Sequence, residues 1–148
     1  MASEPKDRPD VRVMTEIGII AQLSTSQLER TLPDGLSAAQ FGVLTHFMRR
    51  GAVETPAKLA RAFQVTKGAM TNTLSRLEWA GHVHIRPDWD DARQKFVSIS
   101  PSGKSARDAA VQSVAPIIGE VVQGLGADTV RALLPVLRAI RTRFEEET

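Results

Sequence analysis

Apolar residues recur along the 148-residue chain with a helical period over most of its length, and with a period of two in one short stretch. Met14, Ile17, Ala21 and Leu28 predict a first helix over about Val11–Arg30, stopped by Leu32-Pro33-Asp34-Gly35. Ser37 stands three residues before Gln40, the spacing of a capping box, and opens a second helix whose stripe is Phe41, Leu44, Phe47 and Met48, ended by Gly51. Thr55-Pro56 opens a short third helix carrying Leu59, Ala60 and Phe63. Gln64-Val65-Thr66 leaves room only for a tight turn. A fourth helix follows, capped by Thr66, burying Met70, Leu74 and Leu77 and closed by Gly81.

After Gly81 the period changes to alternation. Val83 and Ile85 share one strand face, Val97 and Ile99 another, and the polar run Pro87–Ala92 between them is too long for a two-residue turn. A hairpin with an extended loop is predicted. Ser100-Pro101 then caps a long helix with Ala110, Val114, Ile117, Val121 and Leu125, broken by Gly124 and Gly126. A last helix carries Val130, Leu133, Leu134, Leu137, Ile140 and Phe144. Pro116 and Pro135 fall inside these two helices, so a bend is expected at each. The fold class is mainly α with a small β-hairpin wing: a winged helix-turn-helix plus a helical dimerisation module. Residues 1–35 form an N-terminal tail and dimerisation helix, 36–100 the winged domain and 101–148 the C-terminal dimerisation helices. The first helix and the two last offer more apolar surface than one small winged domain needs, and a second copy of the chain is the economical partner.

Charge sharpens this picture. The net charge is only +2, but Lys58–Arg107 holds nine lysines and arginines against four acids, a net of +5, leaving −3 for the rest. A basic middle between acidic ends suits contact with a polyanion. The outward positions of the fourth helix are Lys67, Gly68, Thr71, Asn72, Ser75 and Arg76, with no acid and no bulky apolar residue among them. Such a face can enter a DNA major groove.

Several function classes drop out. The chain has no cysteine, which excludes disulfides, thiolate metal sites and direct thiol oxidation as a trigger. No apolar run approaches the roughly 20 residues of a membrane span, and the polar Met1–Asp10 is neither apolar enough for a signal peptide nor tied to the core, so a mobile tail and a cytoplasmic location are expected. No glycine-rich phosphate loop or nucleophile elbow is present, so neither an enzyme nor a cofactor is expected. His82 and His84 share a strand face without a third ligand, and His46 reads as structural. Trp79 is expected to pack beneath the wing. Trp89 is either a loop anchor or a contact to sugar and phosphate.

The motifs resemble the MarR family of bacterial regulators. Leu36-Ser37-Ala38-Ala39-Gln40, Leu59-Ala60 and Leu77-Glu78 with Gly81 carry the helical part of the likeness, and Asp91-Ala92-Arg93, Val97-Ser98-Ile99-Ser100 and Gly103 carry the wing. The likeness covers roughly residues 36–107. The family often places two basic residues early in the wing; here Arg86 matches and Ile85 takes the other place, so either a backbone contact is missing or Ile85 serves the core.

The resemblance implies a homodimer on a pseudo-palindromic double-stranded DNA operator, with Arg93 in a narrow A·T-rich minor groove and Asp91 orienting it, and Arg76 as a second partner of Asp91. It implies base-edge or nearby phosphate contacts from Lys67, Thr71 and Asn72, and phosphate contacts from Arg86, Lys95, Ser37 and Thr66. It further implies a repressor released by a small aromatic or anionic effector held between the dimerisation helices and the winged domain, for which Met14, Ile17, Phe41 and Phe47 are candidate lining residues, although a plain core explains them at least as well. A ligand-independent DNA binder and a winged helix used for protein contacts are the alternatives; the basic wing argues against the second.

Overall fold

The computed structural model describes residues 8–33 and 35–148, so the expected mobile tail falls largely outside the described residues, as does Asp34 in the first helix stop. Six helices and one hairpin follow in order: α1 (Pro9–Thr31), α2 (Ala38–Arg50), α3 (Pro56–Ala62), α4 (Lys67–Trp79), β1 (Val83–Pro87), β2 (Lys95–Ile99), α5 (Pro101–Val122) and α6 (Ala127–Glu147). A 3-10 turn at Gln123–Leu125 separates α5 from α6, where Gly124 and Gly126 were expected to interrupt the helix. Helix α1 starts two residues earlier than its apolar stripe, because Pro9 supplies a first helical position that needs no donor. Both α5 and α6 continue through their internal prolines.

Helix starts are set by local chemistry. The hydroxyls of Ser37, Thr55, Thr66 and Ser100 each accept a backbone N–H three residues on. At Ser37 the reciprocal bond from Gln40 completes the capping box. Gly51 and Gly81 take left-handed backbone at φ +65° and +80°, ending α2 and α4. Gln64 is the one described non-glycine residue with positive φ (53°), at the tight turn between α3 and α4; its side chain donates to the Arg61 carbonyl and steadies the turn.

One cluster makes the core of the winged module. Leu44 and Phe47 of α2, Leu59 and Ala60 of α3, Met70, Leu74 and Leu77 of α4, and Val83 and Val97 of the hairpin bury one another. The hairpin is antiparallel, with Val83 opposite Ile99 and Ile85 opposite Val97. Glu54 adds a single-residue bridge to Val97, with backbone bonds of 2.7 and 3.0 Å, which the alternation of the hairpin gave no sign of. Ile85 packs on this core, which accounts for an apolar residue where a second base was expected. A second cluster, Leu32, Ala110 and Val114 with Leu28 and Phe41 against it, joins the end of α1 to α2 and α5.

The wing and α5 meet at Ser100, whose hydroxyl donates to the Gly81 carbonyl (2.6 Å) and accepts from Gly103 N (3.0 Å). Gly103 is buried so closely that a Cβ there would overlap the His82 carbonyl oxygen and lie 2.9 Å from Ile99 Cγ1. Neither neighbour can yield cheaply, since one is backbone in the Ser100 junction and the other a strand residue. Gly103→Ala is therefore expected to destabilise by about 2 kcal/mol or more. Urea unfolding would show this as a lower midpoint with an unchanged slope.

Candidate nucleic-acid interface

The burial of Met70, Leu74 and Leu77 fixes which face of α4 looks outward. At 3.6 residues per turn, the opposite line runs through Gly68, Asn72, Ser75 and Arg76. All four are exposed, as are Lys67 and Thr71 toward the wing side. The helix leaves Lys67, Thr71, Asn72 and Arg76 exposed, the first two toward the wing and Arg76 on the other flank, and none of them is buried in the core.

The wing stands beside that surface. The Arg93 side chain is 92% exposed, and its Nε donates to Asp91 Oδ1 at 3.2 Å. The same carboxylate oxygen accepts Arg93 N at 3.0 Å, so Asp91 braces both the backbone and the side chain of the arginine. Arg76 is not a partner of Asp91, because it sits on the far side of α4, along a groove with Ser37, Gln40 and Trp79. The Arg86 guanidinium lies over the Phe96 ring at 5.3 Å, held flat against the hairpin. Lys95, opposite Pro87, is exposed. Ser37 and Thr66 use their oxygens as acceptors in their caps, which leaves each hydroxyl proton free to donate to a phosphate.

Between α4 and the wing lies a cleft of about 510 Å³, lined by Lys67, Thr71, Arg86, Arg93 and Lys95 and floored by Leu74 and Ile85. Nothing in the residue pattern signals it, since helix and hairpin periodicities do not say how far apart the two elements stand. The four candidate effector-lining residues lie on α1 and α2. Phe47 is 2% exposed inside the winged core and Phe41 packs on the second cluster, while Met14 and Ile17 lie along α1, which buries no residue. An apolar stripe marks a residue for burial without distinguishing core from cavity wall.

Both tryptophans are in solvent. Trp89 is 87% exposed, so it does not anchor its loop, which is held instead by Asp88, accepting from Asp90 N at 2.8 Å, and by Asp91. Trp79 is 94% exposed at the end of α4 and does not pack beneath the wing. Its helix position turns it away from the hairpin, whose inner face is already filled by Leu74, Leu77 and Ile85.

Residues 34–94 match a family model described as the MarR family. The multiple antibiotic resistance protein MarR of Salmonella typhimurium is 30% identical over 109 residues, 73% of this chain and 75% of that protein. This chain belongs to the MarR family. An HTH-type transcriptional regulator of Mycobacterium tuberculosis is 32% identical over 105 residues, 68% of this chain and 73% of that protein. Among solved structures, a cysteine-to-serine variant of MarR from E. coli complexed with operator DNA matches at a TM-score of 0.68 and 28% identity, covering 93% of this chain and 99% of that one. BldR from Sulfolobus solfataricus shares the fold at a TM-score of 0.78 and 24% identity, covering 95% and 99%. The chain is thus a winged-helix transcriptional regulator of a DNA-binding, non-enzymatic family. No helix of the described residues is long and apolar enough to cross a membrane.

His46, expected to be structural, has a partner that no sequence pattern links to it. His46 of α2 is buried, with Nε2 3.5 Å from Glu54 Oε1 and its ring 5.5 Å from that of Phe63. Burial holds the His46 pKa below its ordinary value of 6.5; Glu54 pulls it upward, and Arg49 and Arg50 add to the lowering. The unfolded chain therefore takes up this proton first as the pH falls. Stability from this site is fully present above pH 6.5 and is lost as the pH drops below it toward the folded-state value. Unfolding free energies measured by urea titration should decline over that window, and His46→Gln should flatten the decline.

Proposed function

We propose that the chain is a homodimeric, ligand-responsive repressor that binds a pseudo-palindromic DNA operator in the cytoplasm. The observation that carries this reading is the pairing of a polar outward face on α4 with a braced, solvent-exposed Arg93 on the adjacent wing. Asn72 and Lys67 have the donors and acceptors to pair with adenine and guanine edges, and Arg93 suits a narrow minor groove. Residues 36–100 act as the reading domain. Residues 1–35 and 101–148 act as the dimerisation module, which the exposed apolar faces of α1 and α6 favour. Two copies would present their α4 helices about 34 Å apart, one turn of the duplex.

The effector reading rests on the cleft between α4 and the wing. Its cationic rim over an apolar floor suits a small anion with an aromatic body, and the rim residues Lys67, Thr71 and Arg93 are also assigned to DNA. An occupant would compete with the operator for the same side chains. Repression rather than activation follows if the operator overlaps a promoter.

Fluorescence anisotropy across a salt series, on the duplex upstream of the chain's own gene and on random-sequence duplex, tests the core of this reading. Affinity is expected to fall steeply with salt as phosphate contacts release counterions. Arg93→Ala should weaken binding by roughly tenfold or more, and Asn72→Ala should cost about 1–3 kcal/mol on the operator while relaxing its preference over random duplex. Salt-insensitive binding, or full affinity in Arg93→Ala, would contradict the proposed interface.

A further inference from the structure

Trp79 leaves a large indole almost wholly in water, at 94% exposure, on the last residue of α4. Exposure alone does not assign such a residue a partner, since single apolar side chains often stand in solvent; its place on the helix does. Trp79 is seven residues from Asn72, within about 20° of two full helical turns, so both lie on the line opposite Met70, Leu74 and Leu77. Arg76 stands between them on the same line. Trp79 also lies about 10 Å beyond Asn72 along the axis. A major groove is about 12 Å wide, so an α4 that crosses the groove at an angle with Asn72 at base edges would bring the indole to the sugar-phosphate strand bounding it. The groove beside Trp79 adds donors of the right kind: Arg76, Ser75 and, from the start of α2, Ser37. Glu29 also lines it, but its Oε1 already accepts from Ala38 N at 3.0 Å.

We propose that Trp79 is a DNA-backbone contact at the edge of the major groove that α4 enters. The ring face lies on a deoxyribose and the indole Nε1–H donates to an adjoining phosphate. Indole chemistry fits this role, because it offers an apolar face and one donor but no acceptor. Such a contact carries no base information, so it adds affinity equally on any sequence. The inference rests on the DNA-binding reading above and adds to it a backbone contact outside the basic and polar set.

The test uses the full chain with anisotropy on two fluorescein-labelled duplexes, one of random sequence at low salt and one enriched by selection from a random library. Trp79→Ala is expected to bind both about tenfold more weakly, with an unchanged thermal midpoint, and Trp79→Phe should recover part of the loss by stacking alone. Since the chain has two tryptophans, Trp89→Phe isolates the Trp79 emission, which should change on adding unlabelled duplex. Wild-type affinity in Trp79→Ala, or a loss confined to the selected duplex, would overturn the proposal. Failure of the wild type on both duplexes would overturn the DNA reading itself. Binding lost in Arg93→Ala but kept in Trp79→Ala would overturn the Trp79 assignment alone.

Discussion

The inner face of α4 is the contact on which the rest depends. Leu74 and Leu77 are almost wholly buried against α2, α3 and the hairpin, and Met70 closes the same face near the start of the helix. With that face fixed, Asn72, Arg76 and Trp79 have nowhere to point but outward. The same cluster includes Val83 and Val97, so it also seats the wing, and Ser100 and Gly103 lock the wing's far end to α5. Replacing one of these leucines by alanine would cost about 2–5 kcal/mol, a large share of a small domain's stability. The reading surface is therefore as rigid as the core beneath it.

The terminal helices present the opposite situation. Neither α1 nor α6 buries a residue in the single chain, although both carry helical apolar stripes. Ile20 and Leu23 on α1, and Leu134, Leu137 and Phe144 on α6, stand in water. Surface of that kind is costly when left bare, because burial of each such side chain contributes about 1.5–3 kcal/mol. A single chain cannot cover it with its own winged module, whose core is already closed. A second copy offers a matching apolar surface related by symmetry, and this would also fix the distance between the two α4 helices.

Much of the fold was legible because its signals are local. The caps at Ser37, Thr55, Thr66 and Ser100 act within three residues, and the switch in period after Gly81 marks the hairpin without reference to anything distant. The outward residues of α4 were legible for a related reason: helical period separates Lys67, Thr71, Asn72 and Arg76, all exposed, from the buried residues. What escaped depends on contacts between distant segments. For Phe47 the stripe left core and effector wall both open, and the structure places it in the core. The His46–Glu54 pair and the Glu54–Val97 bridge join positions that no pattern links. Trp79 was different. Its place on the outward line was readable by counting seven residues from Asn72, and only the habit of burying tryptophans hid it.

The proposed joining of two copies through α1, α5 and α6 would make this chain half of a DNA-reading unit. Sedimentation equilibrium of the full chain at micromolar concentration, without DNA, tests it most directly. A single species of twice the chain mass is expected, shifting toward monomer when Leu23 and Leu137 are both replaced by glutamate. A monomer in the unsubstituted chain, or a dimer untouched by those replacements, would contradict it.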